Sequence, residues 1–294
     1  KQIARLWGQQ PILSASCRIT VFRQDVLQTF VREGKTGGLR PPVLFEGLCK
    51  HVMPHYVMGD GNICSLFNHA DQMEYFMGQL QAIIVPVTPF QQNCTILFDA
   101  ETKKGVVIDP GGDLERIKEA IASQNIEVEA IWITHGHIDH AGAASELRDA
   151  LGVDVIGPHK DDEFLLNSLV TTGLKYGLTE GVRNITPDRW LEEGDTVTVA
   201  GHAFDVFHCP GHAPGHVVFY NPEARFAIVG DVLFNGSVGR TDLPGGDHDA
   251  LIRSIKEKLL PLGDDVGFLC GHGTGSRFGE ERRNNPFLNN IGYA

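Results

Sequence analysis

The sequence predicts an α/β protein in which two β-sheets pack face to face with helices outside. Three observations carry this. Buried strand patterns come first in a run and then mix with helices, and that order occurs twice between residues 82 and 270. Apolar residues at 42% and charged residues at 21% exclude wholesale disorder and suffice for a core. No run approaches the roughly 18 apolar residues of a membrane span.

The elements follow in order. Ala82–Val87, Asn93–Phe98 and Gly105–Asp109 read as short buried strands. After the turn Pro110-Gly111-Gly112, Asp113 is placed to cap a helix whose Leu114, Ile117 and Ile121 share one face. Val128–Ile133 is a strand, and Ala141–Leu151 a helix that stops at Gly152. A strand at Val153–Ile156 and a helix around Asp161–Leu169 come next. The second half has strands at Thr196–Val199, Ala203–Phe207, His216–Tyr220 and Phe226–Val229. It closes on an amphipathic helix, Asp249–Leu262, and a strand, Val266–Cys270.

Two domains are expected: residues 1–80 as a poorly patterned leader or extension, and residues 81–294 as the well-patterned domain that holds all the candidate chemistry. The first 80 residues hold eight basic and six acidic side chains, and the remainder 17 and 31. Within the first part only Ile19 to Val31 shows element-like patterning, and His51, His55 and His69 share no ligand spacing. The net charge of −12 argues against a nucleic-acid or anionic-membrane partner. Six cysteines without a close C-x-x-C pair do not form a disulfide framework, and a cytoplasmic location is expected. Thirteen histidines is the abnormal count, and most lie between residues 135 and 216.

The chemistry gathers at strand ends. Thr134-His135-Gly136-His137-Ile138-Asp139-His140 follows a buried strand and opens a helix. Side chains two apart on an extended segment point the same way, so His135 and His137 can share one ion. Asp139 and His140, at the helix start, can turn toward a second. Imidazole with carboxylate suits zinc, with iron or manganese as alternatives. One segment cannot close a two-metal site, so further ligands are sought in turns after strands. The candidates are His208-Cys209-Pro210-Gly211-His212, Gly230-Asp231 and Cys270-Gly271-His272. Each sets a His or Asp beside a Gly, where the backbone can approach a ligand closely.

These residues resemble the pattern of the metallo-β-lactamase fold superfamily, H-x-H-x-D-H followed by a lone His, a lone Asp and a final His. The resemblance covers about residues 82–288 and is closest to compact glyoxalase II-like hydrolases. Pro210-Gly211-His212-Ala213-Pro214-Gly215-His216, Gly230-Asp231-Val232-Leu233-Phe234 and Gly239-Arg240-Thr241-Asp242 carry that closer match. It implies an αββα sandwich with a dinuclear site at one edge. It implies one metal on His135, His137 and His212, a second on Asp139, His140 and His272, and Asp231 bridging. The implied activity is a thioester or ester hydrolase that uses a metal-bound hydroxide, with Asp139 and Asp231 as catalytic residues and two divalent ions as cofactors. The alternatives are a lactonase, weak β-lactamase activity or a mononuclear-iron persulfide dioxygenase. Common zinc β-lactamases have a Cys in the place of Asp231 or lack a bridging Asp.

Other positions carry weaker expectations. Asp109, after the buried run Val106–Ile108, and His216, four residues after His212, are expected to hydrogen-bond ligands from behind. By resemblance Arg240 stands where glyoxalase II has a Lys that holds glutathione, and Asp242 where it has a Tyr. Arg240 is therefore the substrate-binding candidate, for a small-molecule thioester or ester. Glyoxalase II also has a C-terminal helical domain, for which the 22 residues after His272 are too few. Cys94 and Cys270 are expected in the core, and His159 and His202 at the surface.

Overall fold

The computed structural model describes residues 64–67, 73–77 and 79–289. The chain divides into two units, Lys1–Val57 and Met58–Ala294, and every described residue belongs to the second. The segment Ile19–Val31 and residues His51, His55 and His69 lie outside the described residues.

The first sheet comprises β1 (Cys64–Phe67), β2 (Met73–Met77), β3 (Leu80–Val87), β4 (Gln92–Asp99), β5 (Lys104–Ile108), β6 (Glu127–Trp132) and β7 (Asp154–Ile156), side by side in chain order. Strands β1 and β2 pair onto it from before the expected boundary at residue 80. Pairing is antiparallel up to β5 and parallel from β5 to β7. Parallel neighbours need crossovers. Helix α1 (Leu114–Ser123) supplies the first, and α2 (Ile138–Ala141) with α3 (Ala144–Leu151) the second. The expected single helix over Ala141–Leu151 is thus two short ones, parted at Gly142 and Ala143. It does stop at Gly152, which turns left-handed with φ 69°. Asp113 does not cap α1 with its side chain. Its φ of 49° turns the carboxylate away, and that group accepts from the Thr88 N–H at 2.7 Å.

A 3-10 turn at Lys160–Asp162 leads into α4 (Glu163–Leu166) and α5 (Leu169–Tyr176), where the sequence suggested one helix ending at Leu169. Then come β8 (Thr196–Val199), β9 (His202–His208), β10 (Val217–Asn221), β11 (Phe226–Ile228) and a ribbon of β12 (Leu233–Phe234) with β13 (Ser237–Val238). Helix α6 (His248–Arg253), capped by Asp247 accepting from Ala250 N–H, continues as a π-helical segment, Ser254–Leu259. Strands β14 (Gly267–Leu269) and β15 (Ser276–Arg277) and helices α7 (Phe278–Asn284) and α8 (Pro286–Asn289) follow. The second sheet runs β15-β14-β11-β10-β9-β8, with β11 and β14 parallel.

The core has three layers. Trp132, Phe204, Phe219, Phe226 and Ile84 fill the space between the sheets. Ile83, Ile96 and Val107 pack under Ile117, Ile121 and Leu147 of the helices on one outer face. Val218, Ala227 and Phe268 pack under Leu251, Ile255 and Phe278 on the other. This is the αββα sandwich. Along β10 the side chains alternate between two buried layers, so the strand reads as an unbroken apolar run. Trp132 at the centre meets Phe219 and Phe204 with ring centroids 4.9 and 5.5 Å apart. Among the described residues no helix is long and apolar enough to cross a membrane.

Parallel pairing also places the site. Strands β5 and β6, and likewise β11 and β14, end on the same edge. The two sheets are laced together there. Val217 N–H donates to Thr134 O at 2.8 Å, and Asn93 N–H to Gly271 O at 2.7 Å.

Candidate metal centre

Each strand end delivers one or more polar side chains to this edge. Strand β5 delivers Asp109, β6 the stretch Thr134–His140, the β9–β10 loop His212 and His216, β11 Asp231, and β14 His272. His135, His140, His212, His216, Asp109 and Asp231 are all buried.

The side chains converge as two groups. In the first, His137 Nδ1 lies 3.0 Å from both His135 Nε2 and His212 Nε2. In the second, His272 Nε2 lies 3.3 Å from Asp139 Oδ2, and His140 Nε2 lies 3.9 Å from the same oxygen. Asp231 stands between them. Its Oδ1 is 3.4 Å from His140 Nε2, and its Oδ2 is 3.5 Å from both His212 Nε2 and His272 Nε2. Both groups have ligand atoms close enough together to hold a metal ion. A tetrahedral ion with 2.0–2.1 Å bonds sets neighbouring nitrogens about 3.4 Å apart, within a few tenths of the first group's spacing. His140 Nε2 and Asp231 Oδ1 are buried without a hydrogen-bond partner, an arrangement that is costly unless a cation faces them.

The residues behind the groups fix which nitrogen faces inward. Asp109 Oδ1 accepts from Thr134 N–H at 2.7 Å, and Oδ2 from the Thr134 hydroxyl at 2.6 Å. That hydroxyl, its proton spent, accepts from His135 Nδ1 at 3.0 Å. Asp109 Oδ2 also accepts from His140 Nδ1 at 2.9 Å. One carboxylate therefore orients a histidine of each group, as outer-shell carboxylates do in metal sites. His212 Nδ1 donates to Arg240 O at 2.7 Å and His272 Nδ1 to Phe90 O at 3.2 Å. His216 Nε2 accepts from Asp231 N–H at 3.0 Å and so holds the backbone of the shared Asp.

Two glycines are required here. A Cβ on Gly271 would overlap Asp231 Oδ1 and crowd His140. Gly230 adopts φ 48°, and a Cβ there would sit 2.6 Å from His216 Nε2.

Burial, then the neighbouring imidazoles, holds His135 well below the usual histidine range. Burial and His212 push His137 down to about 3, and burial lowers His212 too. Burial would also depress His140, but Asp231, Asp139 and Asp109 hold it well above its ordinary value. Burial would lower His272 as well, but the hydrogen bonds it donates to Asp139 and Asp231 outweigh that and raise it to about 9. Burial opposes ionisation of Asp231, yet His140 and His272 hold its carboxyl well below the carboxylate range.

Each sequence-predicted ligand stands in this cluster, and Asp109 and His216 stand directly behind it. Arg240 is brought close only by its backbone. Its exposed guanidinium forks onto Asp242, with Nε and Nη2 each at 2.7 Å from a carboxylate oxygen. Sequence reasoning missed Thr134, Phe90 and Asp162. Thr134 could have been found from its place beside His135, whereas Phe90 acts through its carbonyl and left no signal. His159 and His202, expected at the surface, are half-buried. His202 pairs with Asp99 at 3.2 Å, and His159 stacks on His208 with centroids 4.1 Å apart. With Asp161 these last two form another grouping, but His159 Nδ1 accepts from Asp161 N–H and His208 Nε2 donates to Pro214 O.

Residues 87–272 match the metallo-beta-lactamase superfamily model, and the chain belongs to that superfamily. It is 45% identical over 207 residues to hydroxyacylglutathione hydrolase GloC of Haemophilus influenzae, covering 70% of this chain and 97% of that one. Among solved structures it is similar to TTHA1623 in a di-iron-bound form, with 39% identity, a TM-score of 0.64, and 70% and 99% of the two chains covered. It is also similar to BLEG-1 B3 metallo-beta-lactamase, with 36% identity, a TM-score of 0.64, and 71% and 99% covered.

Proposed function

We propose that this metallo-hydrolase cleaves small-molecule thioesters, or closely related esters, with two divalent ions, zinc first. The first ion would be held by His135, His137 and His212, the second by Asp139, His140 and His272, with Asp231 shared. The observation that carries the reading is Asp231, whose two oxygens reach histidines of both groups. When bound, the ions supply Lewis acidity and make a water acidic enough to lose a proton near neutral pH. The chain's own residues orient the reactants. Asp139, partly exposed at the second group, is placed to accept a hydrogen bond from the attacking water. Asp109 and Thr134 lock the inward tautomers of His135 and His140.

The cysteines Cys94, Cys209 and Cys270 are buried with thiol pKa values pushed up by burial, Cys270 to about 12, so none serves as a nucleophile. Those free thiols also fit the cytoplasm, where we place the enzyme. The relative named as a hydroxyacylglutathione hydrolase favours thioesters over the other carbonyl substrates.

Metal analysis followed by initial rates on thioesters, lactones, phosphodiesters and a chromogenic β-lactam tests the proposal. Two metals per chain with thioesters fastest are expected. One iron with oxygen uptake, or the lactam turned over fastest, overturns it.

A further inference from the structure

Asp162 is a fully buried carboxylate that lies outside both ligand groups. It sits at the end of the 3-10 turn Lys160–Asp162 and leads into α4. Its Oδ2 accepts from Gly136 N–H at 2.7 Å, and its Oδ1 from Gly215 N–H at 2.5 Å. Gly136 lies between His135 and His137. Gly215 lies in the other ligand loop, three residues after His212 and one before His216. A single carboxylate therefore spans the two chain segments that bring the first group's three nitrogens together.

The contact is built in on both sides. A Cβ on Gly136 would meet Leu165 Cβ at 2.7 Å and Asp162 O at 3.2 Å. A Cβ on Gly215 would meet Asp162 N at 2.5 Å and His159 O at 2.6 Å. Only glycine lets each loop press its N–H onto the carboxylate. His159 N–H donates to Gly215 O at 3.0 Å, adding a second tie to the same loop. Apart from this carboxylate, the ties that orient these ligands run elsewhere, His135 to Thr134 and His212 to Arg240 O.

We infer that Asp162 is a positioning residue that holds the His135–His137 loop and the His212–His216 loop in register for metal binding. This rests on the reading that His135, His137 and His212 hold an ion. Burial raises the Asp162 pKa to about 6 against the opposing pull of the two N–H groups.

The test is zinc affinity by chelator competition at a temperature well below unfolding, alongside the melting temperature of the metal-free protein. Asp162→Asn keeps the shape but turns an amide N–H₂ toward one of the two backbone donors. It should weaken zinc binding by roughly 10–100-fold, as loss of an outer-shell partner does. The metal-free melting temperature should stay near that of the unmodified chain, because the charge that burial disfavours is gone. Asp188→Asn is the control. Asp188 Oδ2 also accepts a backbone N–H, that of Val155 at 2.8 Å, in strand β7, which carries no ligand. Its zinc affinity should be unchanged. If Asp162→Asn does not fold, Asp162→Ser, which retains an acceptor, takes its place in the same titration. Zinc affinity within twofold of the unmodified chain overturns the inference, as does an equal loss in the Asp188 control. An unmodified chain that binds no zinc, iron or manganese instead removes the metal-site reading, and the role of Asp162 with it.

Discussion

The two ligand groups lie side by side on one edge of the sandwich, three histidines in the first and two histidines with Asp139 in the second, and they stand in opposite electrostatic states. His135, His137 and His212 are held down chiefly by burial, with His140 adding to it at His135 and His212 adding to it at His137, and Asp231 opposing it only in part at His212. His140 and His272 face Asp139 and Asp231, and those carboxylates hold their protons on. Burial acts downward on every one of these imidazoles, and only where carboxylates outweigh it, at His140 and at the less buried His272, is the proton held on. The first group is a neutral nest with lone pairs already free. The second is a carboxylate cage whose charge protons balance until a cation displaces them.

The sharpest way to break this contrast is to remove the residue both groups share. Asp231→Ala should lower kcat/KM by about 10³-fold or more, about 4 kcal/mol of transition-state stabilisation. Metal content should fall below two per chain. Full activity with both metals retained would mean that the groups do not depend on Asp231.

Acidity separates the groups next. A cation in the second group must displace the protons of both His140 and His272, the latter held to about pH 9, so affinity there should fall by tenfold or more, up to about a hundredfold, per unit as pH drops from 8 to 6. The first group, with His137 at about 3, should bind with little pH dependence over that range. Zinc titrations at pH 6, 7 and 8 check this, and two equally steep affinities would contradict the contrast. In the metal-free protein the signs also oppose. The raised pKa of His272 contributes stability that is full below pH 6.5 and lost as pH rises through 9. The depressed pKa of His137 makes the fold weaken as pH falls below 6.5, because the unfolded chain takes up the proton first. Melting curves in EDTA should therefore lose part of their alkaline sensitivity in His272→Ala, with His140 keeping the rest, and part of their acid sensitivity in His137→Ala, with His135 and His212 keeping the rest.

Asp109 joins the two groups from behind, through Thr134 to His135 and directly to His140. Asp109→Asn should weaken both zinc affinities by roughly 10–100-fold. Loss at the second group alone would show that the Thr134 link does not orient His135.

How much of this could be read beforehand differs by kind of signal. His135, His137, Asp139 and His140 are legible because four ligand residues crowd one strand end. His212, Asp231 and His272 are legible because each follows an apolar strand beside a glycine. The layered sheets are legible because strands buried on both faces, such as Val217–Asn221, read as apolar runs. The break in the helix at Gly142 and Ala143 and the extra helix Leu169–Tyr176 were not, since tertiary contacts set those ends. Asp113 looked like a cap because residue type and position agreed, but its left-handed backbone sent the carboxylate to Thr88. Asp162 and Phe90 were invisible because each contact is made through a backbone group, the N–H groups that Asp162 accepts from and the carbonyl of Phe90 itself, which no residue pattern names.

Arg240 should give the smallest effect, and it separates substrate recognition from metal binding. Its carbonyl accepts from His212 Nδ1, and an alanine keeps that carbonyl, so Arg240→Ala should bind metal as before. Its guanidinium is satisfied by Asp242 at an exposed position, so the melting temperature should hardly move. A substrate carboxylate would have to compete with Asp242 for the same bidentate fork. The gain from Arg240 is therefore modest, and its loss should raise KM for carboxylate-bearing thioesters a few-fold, with less effect on neutral esters. Asp242→Asn should act in the opposite direction, freeing the guanidinium and lowering KM for the same substrates. If KM stays unchanged across the panel in both variants, Arg240 takes part only through its backbone, as the rest on which His212 is set.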